Sequence, residues 1–86
     1  MERDQIWDYV MAIRNNVIRS MDPPSDERKE AMLAQRKTVM AFEKQLLKEI
    51  DKDEDFESFI KLAIDCALGE YPFDDLVTFY NRICKN

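Results

Sequence analysis

The stretch DKDEDFESFIKL, from Asp51 to Leu62, holds the densest group of side chains able to bind a cation. Asp51, Asp53 and Asp55 stand at alternate positions, Glu54 sits between two of them, and Glu57 follows. A calcium loop of the EF-hand kind begins this way. It also needs glycine at its sixth position for a sharp turn and a bidentate carboxylate at its twelfth. Here Phe56 and Leu62 hold those places. Half a motif is present, and the half that closes around the ion is not. The acids read better as the end of one helix and the start of the next, where negative charge meets the positive end of the helix dipole. The same five carboxylates are also a candidate patch for a partner with a basic surface.

Other arrangements are equally incomplete. Glu27 and Glu30, with Glu49 and Asp53 further on, resemble in spacing alone the carboxylate ladders of all-α nucleotide pyrophosphohydrolases, which use magnesium. That resemblance implies a metal-dependent all-α hydrolase as an alternative function. The chain has no histidine, so the commonest general base and zinc ligand is missing. A single glycine cannot build a phosphate-cradling loop. No cofactor is expected. Cys66 and Cys84 fall on apolar faces at different distances from the turn near Gly69, so two buried free thiols are expected rather than a disulfide. Residues 55–84 have the outline of a helix-turn-helix, which implies a DNA-binding regulator as a further alternative. Yet the second helix would open on Asp74 and Asp75, and no basic cluster supplies the phosphate contacts that dominate such binding. Binding to nucleic acid is not expected.

The more informative residues are charges set among apolar ones. At about 100° per residue, Arg14 falls between Met21 and Trp7, inside the apolar stripe of a first helix. Arg36 and Glu43 fall between two heptad columns on a second, Met32/Val39/Leu46 and Leu33/Met40/Leu47. An unpaired buried charge costs several kcal/mol, so these side chains need water, a carboxylate from elsewhere, or room to extend outwards. A polar seam of this kind sets register between subunits or receives a partner. Met11, Met32 and Met40 flank it, and flexible thioethers suit such grooves. Trp7 and Phe42 are further candidate anchors. Trp7 and Tyr9 point to different faces, so one small core cannot take both.

These residues must be positioned by helices. Ile6, Val10, Ile13, Val17 and Met21 recur at helical spacing from about 3 to 21, with Trp7, Met11 and Ile18 widening the stripe. Asp22-Pro-Pro-Ser ends that helix, and Ser25 or Asp22 caps the next, from about 26 to 50. Residues 52–55 form a connection. A third helix, about 55–68, is apolar around most of its circumference and must be covered on several sides. Gly69 suits its C-terminal cap, and Pro72 the first turn of a fourth helix, about 72–84. The expected fold is all-α: a long antiparallel hairpin followed by a shorter one, in a single domain over 1–86.

Charge is uneven. Residues 1–50 carry nine basic and nine acidic side chains, whereas 51–86 carry four and nine, so the net −5 lies wholly in the second part. No stretch reaches the roughly 20 apolar residues that span a bilayer. The acidic start MERDQIWDYV is unlike a signal peptide. A cytoplasmic protein without membrane attachment is expected. The leading functional expectation is a non-catalytic interaction module, forming a homodimer or binding another protein. It follows from more apolar face than so short a chain can bury alone.

Overall fold

A computed structural model describes residues 1–21 and 25–85. Four helices account for most of them: α1 (Arg3–Ser20), α2 (Asp26–Glu49), α3 (Asp53–Ala67) and α4 (Phe73–Ile83). The all-α arrangement expected from the periodicity is the one observed. The molecule is elongated, 44 × 25 × 22 Å. At about 1.5 Å per residue α2 alone runs some 36 Å of that length.

Local signals set most of the boundaries. Ser25 accepts a hydrogen bond from the Arg28 backbone N–H at 3.3 Å and so caps α2; Asp22, the other candidate, lies outside the described residues. Gly69 adopts φ +81°, and the N–H groups of Gly69 and Glu70 reach back to the carbonyls of Cys66 (3.1 Å) and Asp65 (2.8 Å). This pair of bonds is the Schellman closure that satisfies the last carbonyls of α3. Two boundaries differ from expectation. α3 starts at Asp53, with Lys52 at its N-cap, so Asp53 and Glu54 join Asp55 in its first turn instead of forming a connection. Their charge favours the helix N-terminus enough to extend it over them. Pro72 sits at the N-cap of α4, one place before the first turn.

α1 is the central element and touches the other three helices. Its buried face is Ile6, Tyr9, Val10, Ala12 and Ile13. Against it pack Leu46 and Ile50 from the end of α2, Phe59, Ala63 and Ala67 from α3, and Leu76, Tyr80 and Ile83 from α4. Aromatic rings tie these together: Tyr9 lies 6.3 Å from Phe59 in near-parallel stacking, and Phe59 lies 5.4 Å from Tyr80. The core therefore centres on the Tyr9 side of α1. Trp7 does not widen it; the indole is 47% exposed and stands edge-on to Phe73 at 4.9 Å.

Residues beyond the helices complete the closure. The Asp51 N–H donates to the Ile83 carbonyl at 3.3 Å and the Lys85 N–H to that of Glu49 at 2.7 Å, an antiparallel bridge between Ile50 and Cys84. It clamps the end of α2 to the end of α4. The terminal amine of Met1 donates to Glu49 Oε2 at 2.5 Å and to the Tyr80 hydroxyl at 2.8 Å, and that hydroxyl donates to the same carboxylate. Arg3 pairs with Asp74 and lies over the Phe73 ring, 5.0 Å from its centre. One end of the molecule is thus held by α1, α2 and α4 together.

Candidate interaction face

α2 is poorly covered for its length. Its only fully buried residue is Leu46, at the end where α3 and α4 pack. Met1 meets Glu49, and Asn16 lies near Lys29, Met32 and Arg36, so α1 and α2 run antiparallel. α3 then returns along α1, bringing Ile60 and Ile64 beside Glu43 and Val39. The first ten residues of α2 extend past the end of α3 and are backed by α1.

The two heptad columns of α2 consequently have different fates. Met32 and Val39 are half-buried and Leu46 buried. The parallel column is open: Leu33 is 58% exposed, Met40 53% and Leu47 48%. Between the columns, Arg36 is exposed and Glu43 half-buried. Both charges thus lie between the two columns of α2 as the spacing indicates, with Arg36 facing solvent and Glu43 partly covered, and neither enclosed. Arg14 is exposed as well, because the core lies on the Tyr9 side of α1 and not on the Trp7–Met21 side. Nor is α3 covered all round. Ile64 and Leu68 are exposed on it.

Alongside this column runs a groove made of three adjoining depressions. The first, about 500 Å³, is lined by Asn16 from α1 and by Lys29, Met32, Leu33 and Arg36 from α2. The second, about 230 Å³, lies between α1, α2 and α3 and shares Asn16 with the first; Val39, Glu43, Ile60 and Ile64 form its outer walls and Tyr9 part of its floor. The third, about 290 Å³, shares Glu43 and Ile60 with the second and adds Phe56, Glu57 and Lys61. The walls are mostly apolar and the ends differ in charge. Two cations stand at the α2 N-terminal end. Two carboxylates and one lysine stand at the other. Among the described residues, Lys29, Arg36, Glu43 and Glu57 form no ion pair.

Tyr9 is wholly buried, and its hydroxyl has no hydrogen-bond partner among the described residues. Burial raises its pKa well above the ordinary phenol range, and the nearby Glu43 charge adds to the effect. The hydroxyl therefore stays neutral. The Tyr80 hydroxyl is raised too, by burial first and then by its hydrogen bonds to Cys84 and Glu49. Burial alone would push the Glu49 carboxyl up, but the bonds it accepts from the terminal amine, Tyr80 and Gln45 hold it below the usual carboxylate value.

The sequence candidates fall into separate places. Met32, Arg36, Met40 and Glu43 lie together along the groove and its open column. Trp7, Met11 and Arg14 lie on another side of α1, with Trp7 against α4. Phe42 is half-buried, edge-on to Tyr9 at 5.7 Å, and supports the core instead of an outer surface. Asp51, Asp53, Glu54 and Glu57 are exposed and Asp55 half-buried around the start of α3. Among the described residues, no three acidic or thiol side chains gather where they could hold a metal ion. Glu27 and Glu30 open α2 while Glu49 closes it, about 30 Å away, so the carboxylate ladder does not converge. Cys66 and Cys84 are free thiols, each half-buried rather than buried; burial raises the pKa of Cys66. No helix among the described residues is long and apolar enough to cross a membrane. Sequence reasoning missed Asn16, Ile60 and Ile64 as groove residues. The near-continuous apolar run of α3 was the signal for the last two.

Residues 4–81 match the family described as uncharacterized YnfE-like, and the chain belongs to that family. No curated protein and no solved structure shows significant similarity to it.

Proposed function

We propose that the chain is a small non-catalytic interaction module of the cytoplasm, acting by binding another protein chain across the groove and the open face of α2. The reading rests on one observation: Leu33, Met40 and Leu47, three successive heptad positions, are about half exposed on a continuous helix. Fully covering a leucine or methionine is worth about 1.5–3 kcal/mol, and this column forgoes about half of that in the lone chain. Contiguous apolar surface rimmed by charge marks interaction sites. The acidic start of α3 beside it favours a basic surface on whatever docks.

The test compares wild-type protein with a Leu33→Lys/Leu47→Lys variant as bait in a native cell extract, with quantitative mass spectrometry. Both positions are about half exposed, so helix content should be unchanged and the melting temperature only modestly lower. The expected result is loss, in the variant, of the proteins retained by wild type, other copies of the chain included. Identical retention by the two baits would refute the reading.

A further inference from the structure

We infer that the occupant of this face is a second copy of the chain, docked with α2 antiparallel to its counterpart about a two-fold axis passing between Val39 and Met40. The inference rests on the interaction reading above and names its partner.

The charge pattern carries it. Arg36 and Glu43 lie equal distances either side of the Val39/Met40 midpoint, about 5 Å along the helix at 1.5 Å per residue. A two-fold axis there sets Arg36 of each copy opposite Glu43 of the other, forming two equivalent ion pairs. Both side chains lie between the apolar columns, and both lack an ion-pair partner among the described residues. The apolar residues obey the same symmetry. Met40 meets its own counterpart at the axis, and Leu33 falls beside the second copy's Leu47. An isologous interface must be self-complementary in this sense. Parallel pairing fails the test, because it sets Arg36 on Arg36 and Glu43 on Glu43; the exposed Lys37 and Lys44 on the other flank of the column oppose lysines in either arrangement, so they do not choose between the two.

The groove repeats the pattern on a larger scale. Its cationic end (Lys29, Arg36) lies on the thin half of the molecule, where α2 is backed by α1. Its anionic end (Glu43, Glu57) lies on the thick half, beside α3. The two-fold operation turns thick onto thin, so the start of the second copy's α3 covers the large depression around Met32 and Leu33. Glu43 and Glu57, with Lys61 beside them, then approach Lys29 and Arg36, so one net negative charge meets two positive ones at each end.

The test is a charge swap followed by analytical ultracentrifugation over a wide concentration range. Wild type should sediment as a 20.6 kDa species, twice the 10.3 kDa chain. Arg36→Glu and Glu43→Arg should each raise the dimer dissociation constant at least tenfold, since each sets like charges together twice. The double variant, which restores unlike pairs, should return to within about threefold of wild type. Circular dichroism should be the same for all four proteins. A wild type that stays monomeric at high micromolar concentration overturns the inference, as does a double variant whose loss equals the sum of the single losses. In either case the extract experiment with Leu33→Lys/Leu47→Lys still decides whether the face binds a different protein.

Discussion

Tyr9 and Tyr80 are both buried in the aromatic core, and removing their hydroxyls should have opposite effects. In Tyr9→Phe the ring keeps its stacking on Phe59 and its edge contact with Phe42, and the only loss is an oxygen that bonds nothing among the described residues. A buried, unsatisfied hydroxyl costs about 1–3 kcal/mol, so deleting it should stabilise the fold by about 1 kcal/mol. In Tyr80→Phe the lost oxygen accepts from the Met1 amine and donates to Glu49. Hydrogen bonds to charged groups are worth about 1.5–3 kcal/mol. The lower end applies here, because Glu49 is one-third exposed and still pairs directly with the amine. The variants should therefore differ by about 2.5 kcal/mol. For a chain of this length that is about 10–20 °C in melting temperature, and with a urea m-value of about 1 kcal/mol/M it is about 2.5 M in midpoint. Both hydroxyls are held neutral by burial, so at pH 7 the comparison involves no ionisation of either ring. Urea titrations at one protein concentration, followed by circular dichroism, measure it and keep any association equal across variants. A Tyr9→Phe protein that loses as much stability as Tyr80→Phe would refute the reasoning, since the Tyr9 hydroxyl would then have to be bonded.

Gly69→Ala should lower stability by about 1–2 kcal/mol in the same titration, through backbone strain alone: φ is +81° and an added Cβ would meet nothing within 4 Å. Gly69→Asn, which tolerates that conformation better, should lose less. The Glu49 carboxyl is held below its unfolded value of about 4.3, so its contribution is complete above that pH and disappears as pH falls through the lowered folded value. Glu49→Gln should therefore flatten the acid side of the stability–pH profile while shifting its neutral side down; an unchanged acid limb would count against the pairing with the amine.

Much of the fold was legible along the chain because its signals are local. Helical spacing at Ile6, Val10 and Ile13, the Ser25 cap, the glycine at position 69 and the proline at 72 each act through backbone geometry within a turn or two. Four helices and their approximate limits follow from such terms. Asp53 and Glu54 mark the right junction in the sequence but belong to α3 and not to the connection before it, since dipole attraction and loop propensity compete over the same few residues.

The residue pattern of α1 and α2 by itself established that apolar surface was in excess and that charges interrupted it. It could not establish which part of that surface stays open. Burial depends on what the other helices bring alongside: α3 and α4 cover the end of α2 around Leu46, while Leu33, Met40 and Leu47 remain uncovered. The same holds for Tyr9, which becomes the middle of the core although its position in α1 marks it only as one aromatic of two. Ring stacking on Phe59, 50 residues away, selects it over Trp7. Periodicity specifies the direction in which a side chain leaves its own helix. Whether that direction ends in water or in a neighbour is decided by long-range packing, and that is a property of the tertiary structure alone.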